Sequence, residues 1–377
     1  MRNYGTRIAA VSILALGSAG AAWADSTPAK PAAPSLLDVL TASGLTESGY
    51  VDGTFSDFSY SGTGASQGYN TFLLQQAGLT VAYQPSSGFG GLIDVVASPF
   101  SPYVYNYAPQ STAASTKLYV FQGYAQYATG PLTVIAGKFA TIAGAEVYAP
   151  SGNTNVTRSL LFAYEPLTLT GLRATYTASD KLSLVLGVNN GWFNSGDEFS
   201  ASGTKTLEAG ITWTPAKALS WTVDGYFGSD TNLSGVSGEL SFLDTVLTWN
   251  ATSALSLIGS VDWASQDHAW GYNTGSANWV GYAAYVNYAI NDAWRISLRG
   301  EYFDDKDGYL TYATGSSTPT DGLLTATSGA ATLKEGTVTL GYAPVKSVEL
   351  RLEGRYDTSN DTDVKTTQGW LEALYKF

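Results

Sequence analysis

The chain has 377 residues, 44% hydrophobic but only 13% charged, with 41 Gly, 25 Tyr, one His and no Cys; a typical globular chain is about a quarter charged. A formal net charge of −12 disfavours nucleic acid as a partner. One His and no Cys exclude a zinc site, a disulfide framework and thiol chemistry.

The N-terminus carries basic Arg2 and Arg7, an apolar run from Ile8 to Ala22 and a small-x-small site at Ala22-Trp23-Ala24. Together they predict a secretory signal peptide over 1–24, cleaved after Ala24. A lone membrane anchor is the alternative, but the apolar run is short of the roughly 20 residues a spanning helix needs. Loss of Arg2 and Arg7 leaves 17 basic and 31 acidic residues, a net of −14. Residues 25–47 then form a Pro- and Ala-rich tether and a short helix, LLDVLTAS, with Ser35 as its cap and Gly44 as its stop. Such a segment either docks at a pore mouth or simply leads into the first strand.

From Gly49 onward alternation with period 2 dominates. In AWRISLRGEYF, Trp294, Ile296, Leu298 and Tyr302 oppose Arg295, Ser297, Arg299 and Glu301; in SVELRLEGRYD, Val348, Leu350, Leu352 and Tyr356 oppose Glu349, Arg351, Glu353 and Arg355. The pattern predicts sixteen strands, at about 48–60, 70–84, 88–99, 116–129, 131–140, 166–177, 181–193, 204–215, 217–229, 237–250, 254–266, 277–290, 293–306, 330–343, 347–359 and 366–377. Tight turns such as QPSSG, ATGP, TASDK and INDA alternate with long Gly-, Ser- and Thr-rich loops. That asymmetry is expected of an all-β fold, a transmembrane antiparallel β-barrel over 48–377 with short periplasmic turns and long extracellular loops.

An aromatic residue precedes each tight turn: Tyr83, Tyr127, Tyr176, Trp213, Trp249, Tyr288 and Tyr342, with Tyr375 in the same relation to the C-terminus. On the lipid face these eight would form a girdle at the periplasmic boundary. The opposite, lumen-facing set contains Lys138, Arg173, Arg295, Arg299, Arg351 and Arg355, and acidic residues that include Asp52, Asp94, Glu208, Asp224, Asp244, Asp262, Glu301, Glu335, Glu349 and Glu353. Those charges must be hydrated or paired, which fits a water-filled channel.

The third long loop, Thr141 to Glu165, contains Tyr148, Leu160, Leu161 and Phe162 and is too apolar to stand in water. Folded inward it would be a constriction loop bearing Glu146, Arg158 and Glu165, with Glu146 and Glu165 facing a basic stripe of arginines; packed on its neighbours outside, it would be an ordinary surface loop.

The segments AGKFATIAGAEVYAPSGNTNVTRSLLFAYEPLTLTGLRATYTASDKLSLVLGVNNGW, RGEYFDDKDG and RLEGRYD resemble the beta-barrel porin family of the OmpL-like type, over about 41–377. The final WLEALYKF, ending in Phe377, resembles the C-terminal assembly signal of outer-membrane barrels. The resemblance implies a channel in a Gram-negative bacterial outer membrane, handled by the barrel assembly machinery and set among outer-membrane lipid and lipopolysaccharide. It names no solute.

Other chemistry is weak. His268 lies in a predicted outer loop with no oriented nucleophile. Asp304, Asp305, Asp307 and Gly308 lack the first and twelfth ligands of a calcium loop and read as a solvated loop end, with loose divalent binding as the alternative. Asn155-Val156-Thr157 is a formal glycosylation acceptor, discounted in a bacterial-type chain. The expected function is therefore passive diffusion of small hydrophilic solutes or ions through a porin, non-enzymatic and cofactor-free, with a homo-oligomer as an open possibility. The alternative is a structural or adhesin-like barrel acting through its outer loops.

Overall fold

The computed structural model describes residues 42–62, 65–99, 116–191, 203, 205–231, 237–269, 275–310, 331–360 and 365–377. The proposed leader and residues 25–41 of the tether lie outside these; Ala42 and Ser43 are helical and end at Gly44 (φ 73°), a position that favours glycine, and Thr46 and Glu47 already belong to the first strand.

Sixteen strands follow in chain order: β1 (Thr46–Gly62), β2 (Ala65–Tyr83), β3 (Gly88–Ser98), β4 (Lys117–Thr129), β5 (Leu132–Ala140), β6 (Thr168–Ser179), β7 (Leu182–Asn189), β8 (Thr206–Ala216), β9 (Leu219–Thr231), β10 (Ser237–Asn250), β11 (Leu255–Gln266), β12 (Ala277–Ala289), β13 (Trp294–Asp305), β14 (Ala331–Val345), β15 (Val348–Ser359) and β16 (Lys365–Lys376). Each pairs antiparallel with its sequence neighbours, and β1 pairs with β16 to close the barrel. Closure follows from the solvent, because an unpaired backbone group in hydrocarbon costs several kcal/mol.

Three strands depart furthest from the expected bounds. The segment 61–69, read as a long loop, continues the β1–β2 ladder until Gly62 opposes Ala65. Its Gly- and Ser-rich composition lacks the apolar alternation by which a strand is recognised. At the other extreme β7 ends at Asn189, four residues short of the expected 193.

Outward side chains follow the alternation. Tyr83, Tyr127, Tyr176, Trp213, Trp249, Tyr288 and Tyr375 are exposed at the periplasmic ends of their strands. Tyr342 is half-buried because Trp294, opposite it in register, stacks on its ring at 4.5 Å. Trp263, Tyr282, Tyr302 and Tyr356 are exposed nearer the outer ends of their strands, giving the apolar band aromatic residues at both edges.

Lys138 is a correction. Opposed residues share a face, and Arg173 is paired inside the barrel with Glu208, so Ile135, which opposes Arg173, faces the lumen. Lys138 is three positions further along β5 and faces outward, with exposed Ala136. Phe139 turns in instead and is buried among apolar residues of the third loop, including Leu160 and Leu161. The apolar content of the loop thus reverses the expected polarity of β5.

Candidate functional site: a loop inside the lumen

Between β5 and β6 the chain enters the barrel. Thr141 N–H donates to the Leu167 carbonyl (3.0 Å), pinching the base of the loop. Its interior is ordered by its own polar groups. The Asn153 side chain accepts from Val147 N–H (2.9 Å) and donates to the Val147 and Ala149 carbonyls (2.6 and 3.0 Å). Two 3-10 turns, Pro150–Gly152 and Leu161–Ala163, shape the crossing. Arg158 is a loop residue as expected, but its guanidinium donates to the carbonyls of Val147, Val156 and Tyr148 (3.1, 3.0 and 2.8 Å). It knits the loop together and is buried.

On one side the loop docks on β13–β15, and the arginines there hold it. Arg299 meets Glu146 of the loop (2.8 Å), Glu301 (3.3 Å) and Glu335 (3.1 Å), and donates to the Thr157 carbonyl (2.7 Å). Arg295 bonds Glu349 (2.6 Å) and the Thr154 carbonyl (2.6 Å). Arg351 pairs with Glu349 (3.1 Å) and Glu372 (3.0 Å) and donates to the Pro150 carbonyl (3.2 Å). Arg355 pairs with Asp357 (2.7 Å) and donates to the Arg158 carbonyl (2.6 Å). Carboxylates take the complementary backbone groups: Glu353 accepts from Val156 and Thr157 N–H (2.6 and 2.9 Å), and Glu301 from Leu160 and Leu161 N–H (2.9 and 3.3 Å). The basic stripe therefore exists, but not as an open, hydrated one. The side chains of Arg299, Arg351 and Arg355 are at most 1% exposed. Taking so many charges out of water is tolerated because each of these guanidinium groups is paired with a carboxylate and donates to a loop carbonyl.

Apolar contacts complete the docking. Tyr164 stacks on Phe303 (4.5 Å) and Tyr148 on Phe121 of β4 (4.0 Å). Leu161 lies against Gly281 of β12, where a Cβ would collide with it. The acceptor motif at Asn155 is also absorbed: Asn155 is buried and its amide donates to Thr339 Oγ1 on β14 (2.7 Å).

The opposite wall has another chemistry. Arg173 is tied to Glu208 (2.6 Å) and lies 4.3 Å from the centre of the Phe139 ring. Beyond this pair, Asp224, Asp244 and Asp262 stand side by side on β9, β10 and β11, directly opposed in register. Glu165, expected to face the arginines, turns here instead, and its carboxylate lies with those of Asp244 and Asp262 inside 4.8 Å. The other end of the loop joins them through Gly144 N–H, which donates to Asp244 Oδ2 (3.1 Å). Gly144 has φ 84°, and a Cβ there would strike the Glu165 carboxylate.

Outside the lumen, His268 is exposed in a turn with φ 55°. The Asp304–Gly308 segment is not simply solvated: Asp305 is buried and accepts from Tyr309 and Leu310 N–H (3.0 and 2.9 Å), while Asp307 accepts from Asn278 N–H (2.8 Å). These aspartates cap backbone groups at the outer rim.

A closed sixteen-strand barrel with a lipid-facing exterior and a loop folded into its lumen defines an outer-membrane porin. The chain belongs to the family described as "Putative beta-barrel porin-2, OmpL-like", which matches residues 44–370. Among solved structures it is similar to the outer membrane channel DcaP of Acinetobacter baumannii, with 13% identity, TM-score 0.63, and 88% of this chain and 97% of that chain covered. The anion-selective porin from Comamonas acidovorans gives 10% identity, TM-score 0.58, and coverage of 88% and 99%. OmpT of Vibrio cholerae in its trimer form gives 12%, 0.54, and 89% and 100%. At these identities the likeness is one of fold. No curated protein sequence matches the chain.

Proposed function

We propose that this porin is a narrow passive channel for small hydrophilic solutes and ions, with the loop 141–165 as its constriction. The observation that carries this reading is the docking of that loop across the lumen, from Phe121 on β4 to Arg299 on β13 and Glu353 on β15. A sixteen-strand barrel without such a loop is wide enough for an aqueous channel; with it, the free cross-section shrinks to what the loop leaves. The arginines act as clamps, so selectivity comes from the net negative chain and the aspartates of β9–β11, which favours weak cation preference. As a member of a porin family, the channel passes its solutes without chemistry on them. Residues 1–24 serve export and 25–47 remain periplasmic. The assembly machinery recognises the Phe377 end, and lipid and lipopolysaccharide surround the barrel. A homo-oligomer is consistent with the trimer form of OmpT.

Planar-bilayer recording of the purified protein tests the reading. Small, ohmic steps with a reversal potential weakly favouring cations are expected, and replacing 145–163 by a short Gly-Ser linker should enlarge the steps. A protein that inserts but conducts in neither form would instead be a structural or adhesin-like barrel.

A further inference from the structure

We propose that Glu165, Asp244 and Asp262, with Asp224 at the edge of the row, form a site for a hard divalent cation, Ca2+, that pins the closing end of the lumen loop to the wall of β9–β11. Opposed residues in an antiparallel pair project to one face with Cβ atoms about 4.5–5.5 Å apart. The register Asp224↔Asp244↔Asp262 therefore places three carboxylates in a row, and all three are buried at 2% exposure or less. Glu165 comes down on them from the loop, and one oxygen from each of Glu165, Asp244 and Asp262 lies within 4.8 Å of the others.

A second observation is independent of that clustering. Both carboxylate oxygens of Asp224, and Oδ1 of Asp262, are buried with no hydrogen-bond partner among the described residues. Leaving a carboxylate buried and unpartnered is among the most expensive arrangements a protein can hold. Among the described residues, neutral donors reach Asp244 alone of the three aspartates, from Gly144 N–H and from Ser260 Oγ (3.4 Å). No ion pair joins the four acids to a described Lys or Arg, and nearby Arg173 is committed to Glu208.

The donor chemistry selects the ion. All ligands are carboxylate oxygens, with neither imidazole nor thiolate present, so a hard cation is favoured over zinc or copper. Calcium takes roughly six to eight oxygens in flexible geometry, which four carboxylates can approach by mixed mono- and bidentate binding; magnesium keeps most of its water and suits a sparser site. Because Glu165 and Gly144 stand at opposite ends of the loop, an ion here fastens both ends at once.

The test uses the full folded chain in detergent, stripped with EGTA and then dialysed against micromolar Ca2+. Metal analysis should find one Ca2+ per chain, and Ca2+ should raise the temperature at which the heat-modifiable barrel unfolds. The Asp244→Asn, Asp262→Asn double variant should lose the ion, while Asp57→Asn, an exposed outward position, should keep it. Should the double variant not fold, Asp224→Asn alone is expected to weaken Ca2+ binding about tenfold or more. The site is overturned by wild-type protein that retains no Ca2+, by equal retention in the variants, or by stripped protein that mild acid stabilises while Ca2+ adds nothing, since the carboxylates would then be sharing protons. Conductance recorded in EGTA tests the channel reading separately, so the two can fail independently.

Discussion

The two walls that hold the lumen loop are both crowded with buried charge, yet they solve the problem of desolvation differently. On β13–β15 every arginine has a carboxylate within 4 Å, and Glu301 and Glu353 also accept loop N–H groups. On β9–β11 three aspartates and Glu165 share their space with no described base. The first wall balances its own charge. The second is complete only when something positive joins it, so one docking surface is constitutive and the other responds to the medium.

Substitutions should separate the walls by size and sign. The largest effect is expected from Arg299→Ala, which strands Glu146, Glu301 and Glu335 without their common partner. Breaking a buried pair from one side costs about 3–5 kcal/mol, so urea unfolding of the folded barrel should shift strongly and channel steps should grow as the loop loosens. An unchanged midpoint would mean that the arginine wall does not hold the loop. Glu353→Gln comes next. The amide keeps an acceptor oxygen but loses the charge that receives Val156 and Thr157 N–H, and charge-assisted hydrogen bonds are worth about 1.5–3 kcal/mol. The smallest change, of opposite sign, is expected from Asp224→Asn in chelator. It removes a like charge directly opposed to Asp244, and cross-strand pairs contribute roughly 0.2–1 kcal/mol, so the midpoint should hold or rise slightly. A loss as large as that of Arg299→Ala would erase the distinction between the walls.

The strands were readable from the chain because lipid enforces the rule that reveals them: every second residue must be apolar wherever hydrocarbon is outside. Where the rule lapses, so did the reading. The β1–β2 extension beyond Tyr60 carries no apolar alternation and looks like a loop, and β5 inverts because Phe139 answers to the loop inside and not to lipid. The apolar loop at Tyr148 and Leu160–Phe162 was visible as an anomaly, and so were the arginines of AWRISLRGEYF and SVELRLEGRYD. What sequence alone did not show was the partner of each charge. Glu146 and Glu165 are nineteen positions apart on one loop and reach opposite walls, a choice set by how the two 3-10 turns redirect the chain. The row Asp224, Asp244, Asp262 is spaced by 20 and 18 residues and becomes a cluster only through register.

The pairing of β1 with β16 also sets an order of events. Tyr50 meets Lys376, and Gly49 exchanges both backbone hydrogen bonds with Phe377 (2.9 and 3.0 Å). The hairpins can form from neighbouring stretches of chain, but the seam joins the two ends of the barrel sequence and bears the largest loop-closure entropy of any contact in the molecule. Until the last dozen residues have arrived there is an open sheet and no interior. The loop, whose partners sit as late in the chain as Arg355 and Glu353, has nowhere to dock before then, so the constriction is among the last parts of the channel to exist.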